Sequence, residues 1–117
     1  MANAMVECPQ QNARRAGVQS FRFDFDRLPP EAEAVRQEVR SFLSAEQAAG
    51  RYQPRRCSWT SFDPDFSRRA AAAGFVGLTL PKAYGGHERS SLVRFVVTEE
   101  MLAAGAPCGA HWIADRQ

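Results

Sequence analysis

Apolar residues return every three or four positions in three stretches of this chain, and each stretch is fenced by residues that start and stop helices. The first holds Val35, Val39, Phe42 and Leu43, with Arg36, Glu38 and Arg40 on other faces. Leu28-Pro29-Pro30 precedes it, and proline in a first turn presets φ for a helix. Glu31 and Glu33 then set negative charge against the positive end of the helix dipole. Gly50 closes the stretch, so the spacing predicts a helix over 30–49. The second opens at Asp63-Pro64, an N-cap followed by proline at the first helical position, and closes at Gly74. Its apolar stripe is Phe66, Ala70 and Ala73. The third opens at Ser90 and stops at Gly105 and Pro107, with Leu92, Phe95, Val96, Leu102 and Ala103 as its predicted buried face. After Pro107, CGAHWIADRQ has the pattern of the opening turns of a fourth helix and carries no stop signal.

The connections follow from what is left. Residues 51–62 form a loop in which Trp59 is expected to dock its ring on the core. Phe75, Val76, Leu78 and Leu80 lie too close to Pro81 for a long element. Pro81–Gly86 (PKAYGG) is a turn, with Gly85 and Gly86 free to take positive φ and Tyr84 half-buried, its hydroxyl outward. Phe21–Phe25 (FRFDF) alternates aromatic and charged residues. It has no partner strand, so an extended lead-in whose phenylalanines pack onto a helix is expected. Residues 1–20 show no apolar period and are expected to be a disordered tail. The fold class is therefore all-α: one small domain over 21–117, with three helices and part of a fourth, antiparallel neighbours joined by loops.

Composition narrows the function classes. With 117 residues the chain forms one domain at most, with one modest core. The net charge is +2, and the arginines come in doublets without a sustained basic run, unlike a nucleic-acid surface. Cys8, Cys57 and Cys108 are odd in number and form no CxxC pair, which suggests neither zinc nor a redox dithiol. Reduced thiols fit the cytoplasm. The N-terminus lacks the apolar core of a secretory signal, and no stretch is long enough to span a membrane.

Candidate chemistry is sparse. Glu99 and Glu100 are adjacent, so on a helix they point about 100° apart and form no catalytic pair; solvated or ion-paired acids are expected. His87 and His111 have no second ligand at metal spacing. No nucleophile elbow, dinucleotide fingerprint or phosphate loop is present. GFVG (Gly74–Gly77) matches a bare GxxG without the αβ elements that would make it a nucleic-acid clamp. These residues compose no catalytic site.

Three segments in order resemble the N-terminal helical domain of the acyl-CoA dehydrogenases. They are FDFDRLPPEAEAVRQEVRSFL, DFSRRAAAAGFVGLTLPKAYGG and SSLVRFVVTEEMLAAGAP, followed by HWIADRQ. The PKAYGG turn followed by TEEMLAAGAP carries most of the specificity. Ala83 departs from the family turn, which more often has glutamate there. The resemblance implies an FAD enzyme that oxidises the α,β bond of an acyl-CoA thioester in fatty acid metabolism. It implies a β-domain and a C-terminal helical bundle outside this chain, and homo-oligomers of the complete enzyme. The family's catalytic glutamate lies in the C-terminal part, so no catalytic or cofactor-binding residue is assigned here. The expected contribution is a wall of the acyl cavity from Gly109, Ala110, His111, Trp112 and Asp115, together with cover for the flavin. On this reading the chain is incomplete at its C-terminus. The alternative from a different class is a non-catalytic helical interaction module.

Overall fold

The computed structural model describes residues 27–115, apart from the side chains of Trp112 and Ala114. The expected disordered tail and the FRFDF lead-in lie outside the described residues. Four helices follow one another: α1 (Pro30–Ala48), α2 (Pro64–Ala72), α3 (Ser91–Ala103) and α4 (Gly109–Ala114), with short 3-10 turns at Ser58–Thr60 and Lys82–Tyr84. Among the described residues there is no strand, only an isolated antiparallel bridge between Phe62 and Cys108. The all-α expectation holds.

Local chemistry sets the helix ends. The Asp63 carboxylate accepts from the backbone N–H groups of Asp65 and Phe66 at the start of α2, and Ser90 Oγ accepts from Val93 N–H at the start of α3. Helices α1, α2 and α3 all stop in the same way. Gly50, Gly74 and Gly105 take φ of 68°, 82° and 64°. The residue after each then donates its N–H back into the last turn: Arg51 to Glu46, Phe75 to Ala70 and Ala106 to Met101. These are the orphan carbonyls that a left-handed C-terminal residue exists to satisfy.

Packing orders the helices. Arg89, just before α3, meets Glu31 at the start of α1, while Glu99 and Glu100 near the end of α3 meet Arg36 and Arg40 further along α1. The pairings run the same way along both helices, so α1 and α3 lie side by side in one direction. The core between the elements is Val35, Val39 and Leu43 of α1, Phe66 and Ala70 of α2, and Val93, Val97 and Met101 of α3, closed by Tyr52, Phe75 and Leu78.

The face of α3 differs from the sequence expectation. Its buried residues are Val93, Val96, Val97, Glu100 and Met101. Leu92, Phe95 and Leu102 are 37%, 57% and 38% exposed, and Ala103 is exposed too. Apolar residues populate both sides of this helix, so periodicity alone does not choose between them. The ion pairs of Glu99 and Glu100 with α1 fix the rotation. In the same way, Ala73 is exposed at the end of α2, Trp59 keeps its ring in solvent, and Tyr84 is exposed rather than half-buried.

Two acids that sequence alone would place on the surface are buried. The Glu100 carboxylate receives both Arg40 Nε (2.8 Å) and Nη2 (2.9 Å), the planar fork expected of an arginine pair. Glu46 receives Arg51 at 2.7 Å and Arg69 at 2.6 Å. Burial pushes the Glu46 carboxyl up, and the hydrogen bonds and charges of Arg69 and Arg51 outweigh it, so the group sits below the usual carboxylate range. A depressed folded-state pKa contributes stability that is present above the unfolded value and lost as pH falls through the folded one. Removing the acid frees two arginines that reach water, whereas removing Arg69 strands part of a buried carboxylate. Arg69→Ala should therefore destabilise more than Glu46→Gln in urea unfolding near neutral pH, by about 1 kcal/mol or more; equal losses would mean that the acid is not held by Arg69.

Candidate functional site

The residues expected to form a cavity wall all fall on α4 or at its C-cap, Asp115, and α4 is held from three sides. Gly109 sits against the 3-10 turn before α2, its N–H donating to Ser61 C=O at 2.9 Å. A side chain there would meet Ser61 O at 2.8 Å and Trp59 O at 3.0 Å, so a backbone-to-backbone contact fixes the start of the helix. Ala110 is half-buried. Trp112 lies in α4, and its side chain is outside the described set.

His111 and Asp115 point inward. The His111 ring stacks on Phe66 at 5.8 Å between centroids and 2° between planes. Its Nε2 lies 2.9 Å from Ser67 Oγ, whose own hydroxyl donates to Asp63 C=O. With the serine proton committed, Ser67 Oγ can only accept, so His111 carries its proton on Nε2. Among the described residues, Nδ1 is left as a buried acceptor without a partner. Burial pushes the imidazole pKa down. One turn on, the Asp115 carboxylate accepts from Leu78 N–H at 2.8 Å, and its carbonyl accepts from Arg94 Nη1 at 2.7 Å. Burial raises the Asp115 carboxyl above its ordinary value, while the Leu78 and Gly77 amides and the charges of Arg94 and His87 oppose it.

The amides that Asp115 holds belong to a closed loop. His87 N–H donates to Gly77 C=O, Glu88 N–H to Leu80 C=O and Arg89 N–H to Leu78 C=O, so the two limbs of residues 77–89 zip together below the PKAYGG turn. At the turn, Gly85 takes the positive φ expected of it, and Gly86 does not. Tyr84 stands at the tip, 84% exposed.

The structure thus brings His111 and Asp115 together as anchors of α4, while Ala110 and Ile113 share its outward side, Ile113 being 69% exposed. Ile113 was not singled out in the sequence. Its three-residue spacing from Ala110 was the available signal. Trp59 and Phe62, 56% and 67% exposed, come from the segment that Gly109 packs on, so an apolar rim borders α4. A groove of about 320 Å³ beside it is lined by Tyr52, Arg55, Phe62, Asp63 and Pro107, and by none of the five expected wall residues. Among the described residues no group of three histidine, cysteine or acidic side chains could hold a metal. No described helix is long and apolar enough to cross a membrane.

His111 gives a pH prediction. A lowered imidazole pKa means that the unfolded chain binds the extra proton first, so the stabilising contribution is complete above the ordinary value of about 6.5 and fades as pH falls below it. His111→Gln keeps a donor for Ser67 and removes the titration. The stability difference between wild type and variant should shrink as pH drops from 7 towards 5 in urea titrations, and a pH-independent difference would contradict the buried neutral ring.

The described residues thus form a small all-α domain with an apolar rim beside its last helix, and with His111 and Asp115 bonded into its interior. The family model described as Acyl-CoA dehydrogenase, N-terminal domain, matches residues 29–116. The chain belongs to that family. No curated protein and no solved structure matches it.

Proposed function

We propose that this chain is the N-terminal part of an FAD-dependent acyl-CoA dehydrogenase, an oxidoreductase acting on the CH–CH bond of acyl-CoA thioesters. Its share of the work is to form one wall of the acyl cavity and part of the flavin cover, in a cytoplasmic homo-oligomeric enzyme. The observation that carries this reading is the family match over residues 29–116, which takes in all four helices. The wall is the α4 segment Gly109, Ala110, His111, Trp112 and Asp115. Within it the roles divide: Gly109, His111 and Asp115 hold the helix from behind, and the Ala110–Ile113 side faces outward.

FAD, when bound, supplies the two-electron acceptor for α,β-oxidation. Among the described residues the polar groups of α4 are not arranged as a cradle for it. The polar atoms of His111 and Asp115 are turned into the domain, and the one without a partner, His111 Nδ1, is sealed from solvent. What the chain offers the flavin is apolar surface. The catalytic base, the β-domain and the C-terminal bundle belong to residues beyond this sequence.

The test is to follow the reading frame past Gln117 and purify what it encodes. A yellow protein that is bleached by an acyl-CoA thioester supports the proposal. A product of 117 residues that folds as a well-behaved monomer and binds no flavin with any partner polypeptide overturns it in favour of an interaction module. In the complete enzyme, Trp112→Ala and Ile113→Ala should shift acyl chain-length preference through kcat/KM. An unchanged preference in both would remove α4 from the wall.

A further inference from the structure

Two grooves meet where the loop after α1 crosses the end of α3. At the crossing, Arg55 N–H donates to Gly105 C=O at 3.0 Å. A Cβ on Gly105 would stand 2.7 Å from Arg55 N and 3.1 Å from Pro54 Cα, so the two segments touch backbone to backbone and form a ridge that has no side chain to yield. On one side lies the groove of about 320 Å³ that Phe62, Pro64 and Pro107 help to line. On the other, a second groove of about 360 Å³ is lined by Arg56, Leu102 and Ala103 among others. Arg55 and Gly105 belong to both linings.

The ridge carries charge that the domain leaves unused. Arg36, Arg40, Arg51, Arg68, Arg69 and Arg89 each meet an acidic side chain, and Arg94 meets the Asp115 carbonyl. Arg55 and Arg56 meet no acid among the described residues, and both are exposed. The one acid on the two linings, Asp63, accepts from the Asp65 and Phe66 amides, so its charge is partly met by the start of α2. A guanidinium offers a planar fork to a carboxylate, and two forks side by side suit two neighbouring carboxylates. Exposed Phe62 on one side and Leu102 on the other call for apolar groups flanking those acids. A compact phosphate matches less well, because the helix end at the crossing is the C-terminus of α3, where partial negative charge gathers.

We propose that this ridge is a docking site for an acidic segment of another polypeptide. Two neighbouring carboxylates of that segment meet Arg55 and Arg56, and an apolar side chain on either side of them enters a groove. The site goes beyond the proposed enzyme and uses none of the α4 wall residues.

Fluorescence anisotropy of the 117-residue protein with a labelled peptide tests it, the peptide holding leucine, aspartate, glutamate and leucine in sequence between glycine-serine ends. Arg55→Glu combined with Arg56→Glu should weaken binding about tenfold or more, because each reversal turns attraction into like-charge repulsion. Phe62→Ser and Leu102→Ser should each weaken it severalfold. Lys82→Glu, the same reversal outside both linings, should leave affinity within about twofold at physiological salt. Equal affinity in wild type and the double variant overturns the site. The two arginines would then serve only the end of α3, which has no basic residue in its own last turn. Absence of binding up to millimolar peptide overturns it too, and so does tighter binding of a single-stranded oligonucleotide that the same double variant loses. Should that variant lose helix by circular dichroism, amide chemical shifts of the wild-type protein decide. Peptide-induced changes gathered at residues 54–56 and 102–107 support the proposal, and changes gathered elsewhere overturn it.

Discussion

Replacing Phe66 by alanine should cost about 3–5 kcal/mol of stability, the range for deleting a fully buried phenyl ring. The ring is 0% exposed. It is also where the elements of the domain meet. Phe42 of α1 lies 5.8 Å away between centroids, Tyr52 of the following loop 5.4 Å away, and His111 of α4 is stacked at 5.8 Å. Alanine would empty the centre of this cluster and leave three rings facing a void that rigid helices can close only in part. Domains of this size have total stabilities of about 5–15 kcal/mol, so the variant should lose a large share of its stability. Urea unfolding followed by far-UV circular dichroism measures the loss. Phe62→Ala supplies the contrast, because that ring is 67% exposed and its removal should change stability by less than about 0.5 kcal/mol. A Phe66→Ala loss below about 1 kcal/mol would mean that the ring is not the junction of the fold.

The helix ends and the hub differ in how far the sequence reveals them. Asp63-Pro64, Ser90 and the three glycines that close helices act within a few residues of themselves, so their chemistry is visible in any short window. The predicted helix over 30–49 accordingly agrees with α1 to within one residue at its end. The inward face of α3 was not legible. Leu92, Phe95 and Leu102 are as apolar as Val93, Val97 and Met101, and the choice is made by Arg36 and Arg40, about 60 residues earlier in the chain. Glu46 was missed for the same reason: its burial depends on Arg69, which periodicity on α1 cannot see. Trp59 and Tyr84 show the opposite error. A large ring predicts burial only on average, and both rings here stand on loops whose neighbours do not reach them. For the proposed site, family likeness pointed to the segment Gly109–Asp115. It could not show that His111 and Asp115 face inward, because Ser67 and Leu78, their partners, lie in elements more than 35 residues away.

The same distinction between local and distant constraints sets up an inversion at the PKAYGG turn. Gly85 adopts φ of 82°, the region where a side chain is strained, yet a Cβ built there meets nothing within 4 Å. Gly85→Ala should cost about 1–2 kcal/mol, the penalty for a left-handed non-glycine residue. Gly86 has an ordinary φ, and backbone reasoning alone would let it vary freely. A Cβ at Gly86, however, falls 2.1 Å from the Leu80 carbonyl oxygen and 2.4 Å from its carbon, inside backbone that cannot turn aside. Gly86→Ala must therefore push apart the two limbs of the loop, which are joined at Leu80 by the Glu88 amide. The displacement reaches Leu78 and Thr79, and with them the hydrogen bonds that hold Asp115 at the end of α4. Overpacking against fixed structure costs about 1–3 kcal/mol and sometimes more, and loss of the buried Leu78–Asp115 bond adds a further ~1–3 kcal/mol. Gly86→Ala should thus be the more damaging of the two by about 1–3 kcal/mol, a difference of several degrees in Tm for a domain this small. It should also raise hydrogen exchange in α4, which Gly85→Ala should leave unchanged. Equal Tm values for the two variants, with α4 undisturbed in both, would show that the loop yields at Leu80 and that α4 is held by Gly109 and His111 alone.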